Sequence, residues 1–190
     1  NDIPTNPWKG AMSLPRKMSL KKVNNEWILV QQPVNGFGQL RQQILQLKNQ
    51  PITGMQPLAA HTQQCELLVT LQPSAGAVCG IQLAAGADHP FEIGYDASSG
   101  KLYIDRSKTR NQSFSKNFSS FPRFETTVPL HNQQITLHIY FDNSIVEVFA
   151  NDGEVVLSAQ IFPGKEDNGI ALFGNGQLLS LQLWNMKSAW

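Results

Sequence analysis

The sequence predicts an all-β chain folded as a two-sheet antiparallel β-sandwich. Three observations carry that expectation. Phe141 to Gly153 reads FDNSIVEVFANDG, a strand pair with its turns: Asp142-Asn143-Ser144 closes one, Ile145 to Ala150 is β-branched and aromatic, and Asn151-Asp152-Gly153 supplies positive-φ residues for the next. Short strand-like runs recur along the chain, with turn signals at roughly the eight-to-twelve-residue spacing of a sandwich or barrel. No internal repeat of fixed period is present, which argues against a propeller or solenoid within this chain.

The elements follow in order. From Asn1 to Lys22, three prolines and a glycine in the first fifteen residues exclude a helix, and Ala11 to Leu20 reads as an extended segment interrupted at Pro15. Glu26 to Gln32 is a short strand, ended by Pro33 and the Asn35-Gly36 turn. Phe37 to Lys48 is the one helix candidate, because Leu40, Ile44 and Leu47 share a face at spacings of four and three; an extended connection is the alternative. Glu66 to Gln72 places Leu67, Val69 and Leu71 on one face, and Val78 to Ala84 returns after the turn Pro73-Ser74-Ala75-Gly76. Phe91 to Tyr95 and Lys101 to Asp105 flank a hairpin loop ending in Gly100. Ile135, Leu137, Ile139 and Phe141 share one face of a strand, with Thr136, His138 and Tyr140 on the other. Val155 to Ile161 follows the Asn-Asp-Gly turn, and Ile170 to Phe173 with Leu178 to Trp184 form a last pair around Gly174-Asn175-Gly176.

Composition narrows the function classes. At 190 residues the chain fits one domain, or one domain plus a tail. Such a domain buries roughly 70% of its unfolded surface and needs no metal or disulfide to hold a core. Charged residues are only 15% and the net charge is +1, which argues against nucleic-acid and anionic-membrane partners. The tightest basic group, Arg16-Lys17 with Lys21-Lys22, reads as a solvated strand end. The two cysteines, Cys65 and Cys79, sit in apolar runs that face each other across the PSAG turn, out of register, and read as buried free thiols. They leave the redox compartment open. No run approaches the length of a transmembrane helix, no signal peptide opens the chain, and it begins at Asn1, as a processed or excised piece would.

Chemistry-bearing patterns are few. The four histidines, His61, His89, His131 and His138, lie far apart without metal-ligand spacing, and His138 reads as a solvent-facing strand residue. There is no nucleophile elbow, phosphate-binding loop or Cys-x-x-Cys, so no metal, cofactor or catalytic residue is expected. Asp96, Asp142 and Asp152 occupy turns, where the side chain bonds nearby backbone N–H groups, and Asp105-Arg106 reads as a strand-end pair or turn anchor. Five residues are candidates for sugar or inter-domain contact: Trp8, Met12, Trp27, Tyr103 and Tyr140. A flat ring stacks on a sugar face, but packing is the commoner fate of such residues.

Three segments together resemble one family. Trp8 to Leu20, WKGAMSLPRKMSL, is similar to the passage that leaves the catalytic domain in glycoside hydrolase family 32, the invertases, inulinases and levanases. Leu102 to Phe118 resembles that family's L-Y-V-D-R strand and loop, with Thr109-Arg110 where Ser-Gly is frequent. Phe141 to Pro163 resembles its D-x-S-x-V-E-V-F-x-N-D-G passage, and Met18 stands in place of a usual Leu. The resemblance implies a lectin-like C-terminal sandwich that follows a five-bladed catalytic propeller. The family's nucleophile, acid/base and stabilising-acid motifs belong to that propeller and none is found here. The implied organisation is a tether over residues 1–22 and a sandwich over residues 23–190. The implied role is that of an accessory domain of a fructan or sucrose hydrolase, which stabilises the propeller, borders its cleft and acts outside the cytoplasm. A fructan-binding module is one alternative, and a purely structural or dimer-forming sandwich is another.

Overall fold

The computed structural model describes residues 3–5, 9–23, 25–86 and 88–188. Thirteen strands run in chain order: β1 (Arg16–Val23), β2 (Glu26–Pro33), β3 (Arg41–Thr53), β4 (Gln56–His61), β5 (Gln64–Pro73), β6 (Val78–Leu83), β7 (Phe91–Asp96), β8 (Lys101–Asp105), β9 (Arg123–Thr127), β10 (Ile135–Asp142), β11 (Ile145–Ala150), β12 (Val155–Gln160) and β13 (Gly169–Met186). A five-residue helix, Lys116–Ser120, interrupts them, with Ser115 accepting a bond from the Phe118 N–H at its start. All described pairings are antiparallel.

Two layers share one strand. The first half of β13, Gly169 to Gly174, pairs with β6 and β4, and β7, β8 and β9 extend that layer. Its second half, Asn175 to Met186, pairs with β5 and β3, and β10, β11 and β12 extend the other layer. The turn expected at Gly174-Asn175-Gly176 is therefore a bend within one 18-residue strand. Gly174 has φ 92°, and a methyl group there would collide with the Val78 carbonyl. Glycine is what lets the backbone pass between layers at that point.

That crossing also separates β5 from β6. They flank β13 in different layers instead of forming the expected hairpin, because β13 takes the pairing edge that each would have offered the other. Cys65 and Cys79 are both buried and unpaired. Burial pushes the Cys79 thiol up to about 12 and raises that of Cys65 as well.

Alternation was a sound guide to the core. Leu67, Val69, Leu71, Ile135, Leu137, Ile139 and Phe141 are all buried, facing Ile81, Leu83, Phe91, Ile93, Leu102, Ile104 and Leu172 from the other layer. The expected helix over Phe37–Lys48 is a correction: Phe37–Leu40 makes one 3-10 turn, and the remainder is strand β3. Its Leu45 and Leu47 lie two apart and turn toward the core as strand residues do, and a pairing with β13 along nearly the whole of β3 outweighs a weak helical pattern. β4 and β9 carry too few apolar residues to announce themselves. The segment read as an interrupted extension is strand β1 from Arg16, paired with β2 as a separate hairpin.

Candidate functional site

One row of cross-strand neighbours on the outer face of the second layer organises the site. Register places Ser158, Glu147, Tyr140, Glu66 and Trp184 side by side on β12, β11, β10, β5 and β13. An outward-facing row should meet water, yet Glu66, Glu147, Tyr140 and Trp184 are all buried. The cover comes from residues 14–41, which bring one arginine to each carboxylate.

Arg16 pairs with Glu147, and the Leu14 backbone N–H donates to the same carboxylate at 2.6 Å. Arg16 also reaches Gln31 Oε1 and Ser158 Oγ at 3.1 Å and lies over the Phe149 ring. The Pro15-Arg16 and Val-Glu-Val-Phe passages, far apart in sequence, are thus two halves of one contact. A few residues on, Glu154 accepts bonds from Lys21 Nζ at 2.6 Å and from His131 Nε2 at 2.8 Å. Burial pushes the Glu154 carboxyl up, but those bonds from Lys21 and His131 outweigh it and hold the group below its ordinary range.

The Asn151-Asp152-Gly153 turn completes this grip. Its residues have φ of 48°, 60° and 90°, and Asn151 donates to the Pro129 carbonyl at 2.9 Å. A methyl on Gly153 would collide with the Gln31 carbonyl, so glycine allows β2 to lie directly on the turn.

Glu66 is held by a different set. Arg41 donates through Nε at 2.7 Å and Nη2 at 2.5 Å, and Tyr140 Oη donates at 2.8 Å. His138 Nε2 lies 2.5 Å away and, facing an ionised carboxylate that only accepts, carries the proton. Burial alone would raise the Glu66 carboxyl, but the bonds from Arg41, His138 and Tyr140 hold it at about 2. Burial, with the Glu66 bond, pushes the Tyr140 phenol upward. The Arg41 guanidinium stacks 4.5 Å from the Trp184 ring centroid.

The predicted contact residues fall in different places. Tyr140 backs this site, with its ring covered. Tyr103 is buried with the Arg123 guanidinium 3.7 Å from its centroid, which leaves no open sugar platform there. Met12 is 91% exposed. Trp27 lies on the β1–β2 hairpin, where register puts Met18, Leu20, Trp27 and Leu29 on one face, each 45–66% exposed. Trp8 lies outside the described residues. His138 is not the simple solvent-facing histidine expected from its position, since Glu66 holds it. Sequence reasoning missed Glu66 as a site residue, although the parity of CELLVTL turns it away from the core. Of the basic group near the start, Arg16 and Lys21 are engaged in ion pairs. Among the described residues no group of three metal-ligating side chains occurs.

A two-layer sandwich that grips an N-terminal hairpin has the build of an accessory domain. The chain belongs to the C-terminal domains of glycosyl hydrolases family 32, whose family description matches residues 36–185. It is 31% identical over 200 residues to a levanase of Bacillus subtilis, covering 100% of this chain and 29% of that protein. It is also 31% identical over 198 residues to the extracellular exo-inulinase inuE of Aspergillus niger, covering 100% of this chain and 37% of that one. The crystal structure of exo-inulinase from Aspergillus awamori superposes with a TM-score of 0.88 at 27% identity, over 100% of this chain and 38% of that one. The β-fructofuranosidase of Schwanniomyces occidentalis, at 20% identity and a TM-score of 0.80 over 98% of this chain and 42% of that one, shares the fold. The chain therefore spans well under half the length of these proteins. Among the described residues no helix is long and apolar enough to cross a membrane.

Proposed function

We infer that this domain is the accessory sandwich of a fructan- or sucrose-hydrolysing β-fructofuranosidase, and that it orients the hairpin β1–β2 against a catalytic propeller joined to it. The observation that carries this reading is the asymmetry of the hairpin. Glu147, Glu154 and the Asn-Asp-Gly turn fix it to the sandwich, while Met18, Leu20, Trp27 and Leu29 stay exposed on one face. Four large apolar residues together on a held hairpin are what a packed inter-domain contact leaves when viewed from one side. In this reading residues 1–22 are the tether and residues 23–190 the sandwich, and the pairing of β1 with β2 is what joins the one to the other. Relatives named as extracellular exo-inulinases support a location outside the cytoplasm.

The test uses the natural polypeptide that carries this sequence. Its intact mass should exceed 21.1 kDa by a catalytic domain. Leu20→Asp with Trp27→Asp should then speed hydrogen exchange in β1–β2 and lower the thermal transition of the joined domain. A mass of 21.1 kDa, or variants that leave both readouts unchanged, would remove this reading.

A further inference from the structure

Beside the arginine-capped row lies a half-open cleft of about 380 Å³, roofed by the loop after β2 and floored by β10 and β11. Asn35, Phe37, Arg41, His138, Tyr140 and Asp152 line it. We propose that this cleft binds one ring of a neutral sugar, a furanosyl unit of a fructan chain. The sugar class rests on the lining residues; the choice of fructan rests on the function proposed above.

The volume is at the lower end of small-molecule sites and suits one or two sugar rings. Its polar groups point the same way. Arg41 spends Nε and Nη2 on Glu66 and keeps Nη1. His138 spends Nε2 on Glu66 and leaves Nδ1 for a ligand. The side chains of Asn35 and Asp152 make no hydrogen bond among the described residues. The cleft thus offers donors and acceptors in mixture, the complement of hydroxyl groups that both give and accept. Phe37 adds an apolar surface, its ring 5.8 Å from that of Tyr140.

Charge selects a neutral ligand. Glu66 already balances Arg41, and Lys21, which feels the Asp152 charge, is held by Glu154, so an anion would find no free cation beside the Asp152 carboxylate. A lone carboxylate is a poor cation site, and no metal-ligating trio occurs among the described residues. The Glu66 bonds fix Arg41 and His138 before any ligand arrives, so little ordering cost falls on binding.

The experiment is a titration of the isotope-labelled chain with short-chain inulin oligosaccharides, followed by amide NMR. Shifts should concentrate at Asn35 to Arg41, Thr136 to Tyr140 and Asp152, with affinity in the millimolar range. Asp152→Gly keeps the positive φ of 60° and removes the carboxylate. It and Asn35→Ala should each weaken binding about tenfold while the remaining spectrum stays folded. Several results would overturn the site: no shift well above millimolar sugar, shifts at the Trp27 hairpin instead, or the same shifts from inorganic phosphate. Binding indifferent to both variants would overturn it equally. Hairpin exchange in the natural polypeptide is read separately, so a held hairpin with a silent cleft would sink this inference alone.

Discussion

At Glu66 a carboxylate shut away from water stays ionised because Arg41, His138 and Tyr140 all donate to it. Its folded carboxyl titrates at about 2 against an ordinary 4.5, so the shift is downward. The stability it contributes is therefore fully present above pH 4.5 and is lost as pH falls through about 2. The full loss is on the order of 3 kcal/mol, and acid titration of the urea midpoint should show it, with Glu66→Gln flattening the slope in that window. Arg16 and Glu147 form the other capped pair, and a double-mutant cycle with Arg16→Ala and Glu147→Gln should give a coupling of about 1–3 kcal/mol. A coupling near zero would make that contact incidental. The sequence displays both acids at outward parity, and outward parity normally means solvent. It does not display the cover, because each arginine comes from a segment joined to the row only by the folded topology.

Among the elements, local signals were reliable and crossings were not. The hairpins β7–β8 and β10–β11 close through short loops with turn residues at the required positions, and both stand where the sequence put them. β3 was obscured by Leu40, Ile44 and Leu47 at helical spacing, although its pairing with β13 decides the outcome. Gly174-Asn175-Gly176 has turn composition, yet both flanking runs belong to one strand. No local pattern tells a bend from a reversal there, since both call for glycine. Gly153→Ala would force a methyl into the Gln31 carbonyl and strain a φ of 90°. It should cost about 2–4 kcal/mol and raise hydrogen exchange in β1–β2 more than in β7–β8. Equal exchange in both hairpins would mean that the turn does not support β1–β2.

For the whole molecule, the shared strand has a thermodynamic consequence. A domain whose two layers had separate strands could lose one before the other. Here β13 contributes pairing to both, so neither layer opens without disturbing its neighbour. Unfolding should be a single transition, with far-UV and near-UV circular dichroism midpoints coinciding in urea. Two separated midpoints would mean that the layers melt independently. The apolar hairpin face is a separate matter, since Met18, Leu20, Trp27 and Leu29 are exposed. Replacing them with Ser should move the chain's own stability by only about 0.5 kcal/mol each, as for surface sites generally.

In the inter-domain role proposed above, the Arg16 cap and the Asn-Asp-Gly turn also decide what kind of joint the first strands would make. A flexible leash would only keep a neighbour nearby and leave it free to swivel. Fastened at Leu14, Arg16, Lys21 and Gln31, the hairpin behaves as a rigid bracket. A body bolted to that bracket inherits its direction as well as its proximity, and its angular play is set at the bracket.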